Sequence, residues 1–202
     1  MSGTLAVYNA RAQDYAERTK NLQEWPDFDA LCARLPAPAH VLDLGCGPGH
    51  YAARFVQAGH SVEAVDGSAE MVALAAKRPG VNARQALFHQ IDGVALYDAI
   101  WANFSLLHAP RADFPGHLNR LHRALKPGGW LHLGMKLGTG EGPDSIGRFY
   151  SYYTEAQLDE HLTRAGFAPV SRRLSEGPGM DGTPSRFICL LAQGIPNDTP
   201  KG

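Results

Sequence analysis

The 202-residue chain is 44% hydrophobic and 19% charged, with 19 Lys+Arg against 20 Asp+Glu and a net charge of -1, the profile of an ordinary globular protein. This length accommodates one domain, or one domain with a small appendage, and no multidomain assembly. The neutral balance speaks against a grip on nucleic acid or an anionic membrane, which needs clustered positive charge; with no apolar run near the roughly 18 residues of a bilayer span and no signal-peptide pattern in residues 1–10, a cytoplasmic protein is expected.

Residues 1–38 read as two short helices, around Tyr8 to Lys20 and Phe28 to Leu35, with Trp25-Pro26 between them. The whole chain holds 22 glycines and 14 prolines, a combined share well above the average of roughly 12%, and beyond residue 38 they cut it into alternating segments. Val41 to Leu44 reads as a buried strand, followed by Gly45, Gly47, Pro48 and Gly49 and by a helix from His50 to Ala58 that Gly59 stops. Ser61 to Val65 makes the next strand and ends at Asp66; Ser68 caps a helix that carries Met71, Leu74 and Ala75 on one face and stops at Arg78-Pro79-Gly80. Val81 to Phe88 and Tyr97 to Asn103 are further strands. A helix from Phe114 to Leu125, with Leu118, Leu121 and Leu125 on one face, is closed by Lys126-Pro127-Gly128-Gly129, and Trp130 to Leu137 is again a strand. Gly138 to Gly147 reads as a flexible approach, Thr154 to Ala165 as a helix stopped by Gly166, and Pro169 to Leu174 and Arg186 to Leu191 as two strands with no helix between them. Strands alternating with helices imply a parallel sheet, and a final loop-linked pair implies that at least one of its strands runs antiparallel at the edge. The core is expected over residues 39–192 and a polar, fraying tail over 193–202.

Cys32, Cys46 and Cys189 are odd in number and widely spaced, which suits a reducing compartment and supplies no Cys-x-x-Cys pair. Of the nine histidines none are three or four apart, and His117 and His122, five apart, would point to different helix faces, so no metal is expected.

The stretch Val41-Leu42-Asp43-Leu44-Gly45-Cys46-Gly47-Pro48-Gly49 is the most informative. Glycines directly after a buried strand permit a tight turn and a close backbone approach to a ligand, and the helix that follows offers unpaired N–H groups. Some twenty residues on, Asp66 stands where a carboxylate can accept hydrogen bonds from two ribose hydroxyls; taken alone it could cap the next helix, but after a glycine loop at this spacing it reads as the ribose acid. Cys46 reads by itself as a small buried residue that fits the turn. Loop and acid together specify a nucleoside. For NAD the pattern G-x-G-x-x-G requires glycine three residues beyond Gly47, where His50 stands; Asp43, foreign to that pattern, suits a ligand carrying an ammonium group.

The arrangement resembles the class I S-adenosylmethionine-dependent methyltransferases, whose loop E/D-x-G-x-G-x-G is met by Asp43, Gly45, Gly47 and Gly49. The likeness continues through Asp66, through Phe104-Ser105-Leu106-Leu107-His108 and through Leu125-Lys126-Pro127-Gly128-Gly129. It implies a Rossmann-like, doubly wound α/β fold: a seven-stranded, mostly parallel sheet with an antiparallel edge strand and helices on both faces. It further implies that Gly45, Cys46 and Gly47 wrap the methionine part and ribose of S-adenosylmethionine, that Asp66 takes the ribose hydroxyls, that Gly67 and Met71 flank adenine, and that the Asn103 carbonyl meets the amino group. Where many relatives have an acid after the third strand this chain has Leu87-Phe88, so adenine would rest on apolar contact there. Residues 1–38 would form a lid, with Tyr8 and Tyr15, seven apart, on one face near the sulfonium or packed as an ordinary aromatic stripe.

After the fifth strand, Gly147-Arg148-Phe149-Tyr150-Ser151-Tyr152-Tyr153 lies where such enzymes place acceptor-facing residues, which makes Arg148, Tyr150 and Tyr153 candidates together with Lys136. At least one of Tyr152 and Tyr153 is expected to pack under the loop instead. Methyl transfer needs alignment and exclusion of water, with a base only where the acceptor must lose a proton, and His108 is the candidate for that base. The Pro-Cys nucleophile of cytosine-carbon methyltransferases is absent, and Asn103-Phe104-Ser105-Leu106 replaces the Asn/Asp-Pro-Pro-aromatic motif of enzymes that methylate amino groups of nucleic acids. The expectation is an enzyme, monomeric or homodimeric, acting on a small molecule; a nicotinamide oxidoreductase and a non-catalytic nucleoside-binding module are the alternatives.

Overall fold

The computed structural model describes residues 2–20, 25–179 and 181–196. Three helices precede the sheet: α1 (Ser2–Ala10), α2 (Ala12–Thr19) and α3 (Pro26–Cys32). The single helix expected from Tyr8 to Lys20 is thus two, because the backbone leaves helical geometry at Arg11, with φ -119° and ψ 19°. α3 begins two residues early, with Pro26 in its first turn, where a missing N–H costs nothing.

Then follow β1 (His40–Leu44), α4 (His50–Gln57), β2 (Ser61–Asp66), α5 (Ala69–Ala75), β3 (Asn82–Gln85), β4 (Tyr97–Asn103), α6 (Phe114–Ala124) and β5 (Leu125–Lys136). β6 (Glu141–Pro143) and β7 (Phe149–Ser151) form a separate small sheet, and α7 (Glu155–Arg164), β8 (Phe167–Pro178) and β9 (Pro184–Gly194) complete the chain. The main sheet has the order β3-β2-β1-β4-β5-β9-β8, parallel from β3 through β5. β9 runs antiparallel to both β5 and β8.

The antiparallel strand is therefore next to the edge, not at it. Composition explains the order: β9 carries Ile188, Cys189, Leu190, Leu191 and Ala192, buried in succession, as a strand covered on both faces requires, whereas β8 carries exposed Val170, Ser171 and Arg172 and can border solvent. β3 is shorter than expected. Its ladder with β2 ends at the Asp66–Gln85 pair, and the Leu87 N–H then turns to Gln90 Oε1 at 2.8 Å, closing a 3-10 turn over Phe88–Gln90. The expected flexible approach at 138–147 contains half of the β6–β7 hairpin. Of the expected tail, 193–194 belongs to β9 and 197–202 lies outside the described residues.

Alternation along the strands fills two cores. Leu42, Ile100, Leu131 and Leu133 face Leu118 and Leu121 of α6 and Leu158 and Leu162 of α7. Val41, Ala64, Ala99 and Trp101 face Phe28 and Leu31 of α3 and Ala52 and Phe55 of α4. Helices thus cover both faces of the sheet, so the site must open at its ends, beyond the strand carboxyl termini.

Candidate functional site

β1 and β4 are neighbours in space whose following connections leave in opposite directions, β1 toward β2 and β4 toward β5. A crevice forms at such a reversal. Here the loop after β1 presses on the loop after β4: a Cβ on Gly45 (φ +72°) would stand 2.2 Å from the Ser105 Cβ, so glycine is required on both counts. Beyond these loops lies a partly open cavity. Gly45, Gly47, Asp66, Gly67, Met71, Leu87, Phe88, Asn103 and His108 line it, as does Tyr15 from above.

Asp66 sits at the junction of loop and strand. Its Oδ2 accepts the Gly47 N–H at 2.9 Å and its Oδ1 the Ser68 N–H at 2.8 Å, while burial raises its pKa against the pull of these amides. Each carboxylate oxygen retains acceptor capacity. The cap of α5 is Ser68, whose Oγ accepts the Met71 N–H at 3.2 Å. Met71, 1% exposed, both packs in α5 and contributes to the cavity wall. Asn103 uses its Oδ1 to accept from His132 Nε2 at 3.0 Å, and His132, pulled down to about 3 by burial, stacks on Trp101 with centroids 3.7 Å apart.

Two residues expected at the cofactor do not line the cavity. Asp43 is buried below the loop, held by the Ala52 N–H; burial pushes it up to about 8, and its Oδ2 has no partner among the described residues. Cys46 turns its thiol away, with Sγ donating to the Gly47 carbonyl at 3.5 Å and packing in the Phe28–Phe55 core; burial raises its pKa, against any role as a thiolate.

The four acceptor candidates also stand off the cavity. Arg148 is 2% exposed and locked to Asp144, with Nε at 2.9 Å and Nη2 at 2.6 Å from Oδ2, and the Asp144 Oδ1 accepts the Arg148 N–H at 2.8 Å. The ring of Tyr150 lies 4.6 Å from that of His108 and 4.3 Å from Lys136 Nζ. Lys136 is half-buried and borders a separate groove with Tyr152 and Arg186. Tyr153 is wholly buried against Phe114 at 4.8 Å and under the Arg111 guanidinium at 4.3 Å.

His108, in a 3-10 turn after β4, faces the cavity and is pulled down to about 4, mainly by burial. Its Nδ1 is 2.6 Å from the Phe149 carbonyl and its Nε2 2.9 Å from the Tyr8 hydroxyl. Both bonds form together when the proton is on Nδ1 and Tyr8 donates to Nε2.

Tyr8, expected on the lid, also lines the cavity, and Thr4, Leu5, Ala86, Phe104 and Ser105, which sequence reasoning missed, complete the lining. Phe104 and Ser105 had a usable signal, since they follow a strand at the reversal point. Phe104 is also left-handed without being glycine (φ 55°), and Ser105 Oγ is buried with no partner among the described residues. Thr4 and Leu5 had none. Thr4 Oγ1 accepts the Phe149 N–H at 2.8 Å and Asn9 Oδ1 accepts from Ser68 Oγ at 2.6 Å, contacts that only the folded chain brings together.

A methyltransferase-domain family model matches residues 41–129. The chain is 34% identical over 133 residues to a malonyl-[acyl-carrier protein] O-methyltransferase of Enterobacter lignolyticus, covering 63% of this chain and 51% of that one. It is 37% identical over 162 residues to a trans-aconitate 2-methyltransferase of Deinococcus radiodurans, covering 71% and 60%. The chain spans about half the length of the curated relatives it matches. Among solved structures, the 1,6-didemethyltoxoflavin-N1-methyltransferase of Burkholderia thailandensis, with 1,6-didemethyltoxoflavin and S-adenosylhomocysteine bound, superposes with a TM-score of 0.78 at 26% identity, over 96% of this chain and 88% of that one. Among the described residues no helix is long and apolar enough to cross a membrane.

Proposed function

Because the chain belongs to the class I S-adenosylmethionine-dependent methyltransferases, we propose that it moves the methyl group of S-adenosylmethionine to a small-molecule acceptor by in-line displacement. The observation that carries this reading is the meeting, across one cavity, of the Gly45–Gly47 loop, the Asp66 carboxylate and a Ser105 hydroxyl that has no partner among the described residues. Polar groups at one end and Met71, Ala86, Leu87 and Phe88 at the other fit a ribose and a flat base. Asp66 would accept the ribose hydroxyls with the lone pairs its amide partners leave free, and Met71, Leu87 and Phe88 would enclose adenine. Gly45, Gly47 and the Asn103 carbonyl would border the methionine part. Asp43 and Cys46 act from behind the loop, shaping it.

When bound, S-adenosylmethionine supplies an electrophilic methyl on a sulfonium, so this chain's own task is alignment, exclusion of water and custody of a proton. Residues 1–38 serve as the lid: Thr4, Leu5 and Tyr8 of α1 and Tyr15 of α2 close the cavity over the core of residues 39–192. The faces of Tyr8 and Tyr15 offer attraction to the sulfonium. His108 receives the acceptor's proton. Tyr150 and Arg148 stand behind His108, Lys136 flanks the entry groove, and Tyr153 anchors the loop through the core. The acceptor is a free metabolite in the cytoplasm and not nucleic acid, met by a monomer or homodimer.

Calorimetry and thermal unfolding with S-adenosylmethionine, S-adenosylhomocysteine and NAD test the cofactor. Stabilisation by the first two is expected, and stabilisation by NAD alone would overturn the assignment. Release of S-adenosylhomocysteine on mixing with a metabolite extract separates an enzyme from a binding module.

A further inference from the structure

Tyr8 and His108 come from elements a hundred residues apart, yet they share a hydrogen bond inside the cavity wall. The His108 imidazole is gripped from both sides: the Phe149 carbonyl fixes the proton on Nδ1, and the Tyr8 hydroxyl occupies Nε2. The Tyr8 oxygen in turn lies 3.5 Å from Arg148 Nη1, the guanidinium nitrogen that Asp144 leaves unengaged. This is an ordered chain from a buried ion pair through a phenol to a neutral imidazole, with Tyr8 and His108 both open to the ligand space.

We propose that Tyr8 and His108 act as one proton relay, and that the acceptor therefore carries a weakly acidic N–H or O–H and not a carboxylate. The proposal rests on the methyl-transfer reading above and extends it to the substrate class. In the step, the acceptor atom forms its bond to the methyl carbon as the S–CH3 bond breaks, and the sulfur keeps that electron pair. The acceptor's proton passes to the Tyr8 oxygen while the Tyr8 proton passes to His108 Nε2. The products are the methylated acceptor, a neutral thioether and an imidazolium whose Nδ1–H still meets the Phe149 carbonyl. That imidazolium replaces the sulfonium charge lost with the methyl group, so the buried site holds the same net charge before and after. A carboxylate acceptor needs no base, and it would leave the relay idle.

The charges around the cavity agree. Asp66 is the charged side chain among the described residues that line it; Arg148 is neutralised by Asp144, and Lys136 lies outside. An anionic acceptor would meet the Asp66 carboxylate and, among the described residues that line the cavity, no side-chain cation to hold it. The groups facing the His108–Tyr8 pair are Arg148, Asp144, Lys136 and Tyr150, with Tyr15 edge-on to Tyr8 at 5.6 Å and Asp66 acting on Tyr8. Burial holds Tyr8 protonated and His108 neutral at pH 7, the resting state that the relay requires.

The test uses the full chain with S-adenosylhomocysteine added, beginning with the His108 tautomer by nitrogen-15 NMR. A proton on Nδ1 is expected, with the Nε2 resonance displaced in Tyr8→Phe; an Nε2–H tautomer, or a Tyr8→Phe resonance identical to wild type, overturns the relay whatever the turnover data give. Methyl transfer is then measured from labelled S-adenosylmethionine to 1,6-didemethyltoxoflavin and a panel of phenols and N–H heterocycles, with trans-aconitate as the carboxylate probe. Transfer to protic acceptors with kcat at least thirtyfold lower in Tyr8→Phe and a displaced pH profile supports the proposal. Methylation of trans-aconitate at a rate that Tyr8→Phe leaves unchanged overturns it. Failure of wild type to bind S-adenosylhomocysteine would instead sink the cofactor reading, which separates the two.

Discussion

Replacing Asp66 by Ala separates what this carboxylate does for the fold from what it does for the ligand. Its two oxygens accept the Gly47 and Ser68 N–H groups at 2.9 and 2.8 Å. Removing it strands two partly buried amides at about 1–3 kcal/mol each. Relief of the desolvation that raises its pKa offsets part of this, which leaves a net loss of about 2–4 kcal/mol, or roughly 5–15 °C in Tm for a chain of this size. The ligand loses charge-assisted hydrogen bonds in addition, worth at least about 1.4 kcal/mol, so affinity for S-adenosylhomocysteine should fall tenfold or more. Asp66→Asn keeps one carbonyl oxygen but turns an amide –NH2 toward the other donor, so it should fall between the two in both measurements. Calorimetry with S-adenosylhomocysteine, run beside thermal unfolding at a temperature where each variant is folded, reads the two losses independently. Affinity within twofold of wild type in a destabilised Asp66→Ala protein would refute the ligand role and leave Asp66 as a loop anchor.

Arg148→Met leaves the buried Asp144 carboxylate without its cation, a cost of about 3–5 kcal/mol in chemical denaturation; a loss below about 1 kcal/mol would show that the pair is open to water. Burial holds the folded pKa of His132 down to about 3, so the unfolded chain, titrating near 6.5, binds the extra proton first. Stability is then fully present above about pH 6.5 and falls as pH drops toward 3, by up to about 1.4 kcal/mol per pH unit for this site. His108, pulled to about 4, adds to the same slope, and His132→Gln should flatten the melting-temperature profile between pH 4 and 6. A mutant profile parallel to wild type there would contradict this. Gly45→Ala meets both a left-handed backbone, about 1–2 kcal/mol, and the Ser105 Cβ, a further 1–3 kcal/mol; adding Ser105→Gly should restore the packing share alone, and complete rescue in thermal unfolding would mean that the backbone strain is negligible.

The legible part of the fold is the part whose signals are local. Val41-Leu42 and Ile100-Trp101 announce strands buried on both faces, and Gly45 and Asp66 mark strand ends with residue types that the turn and the ligand each demand. The order of the last two strands was legible too, but in composition, not in connectivity. A loop between Pro169–Leu174 and Arg186–Leu191 says that the pair is antiparallel; it does not say which member faces solvent. The unbroken apolar run Ile188 to Ala192 does, because an edge strand with that sequence would leave large side chains and unpaired backbone open to water.

The acceptor side resisted reading for a different reason. Arg148 has the chemistry to bind an anion, and its position after β5 is the expected one, but whether that charge is available depends on Asp144, four residues earlier and wrapped back by the β6–β7 hairpin. Tyr150 and Tyr153, three apart, are separated by fold in the same way: one supports His108, and the other is enclosed by Phe114 and Arg111. The reverse holds for α1, which has no motif at all. Its Thr4 bonds the Phe149 N–H, its Tyr8 bonds His108 and its Asn9 bonds Ser68, so one short helix ties the acceptor end of the cavity to the cofactor end. A base that is oriented only while α1 is seated works only in a closed site. Proton removal is thereby coupled to the exclusion of water that methyl transfer requires.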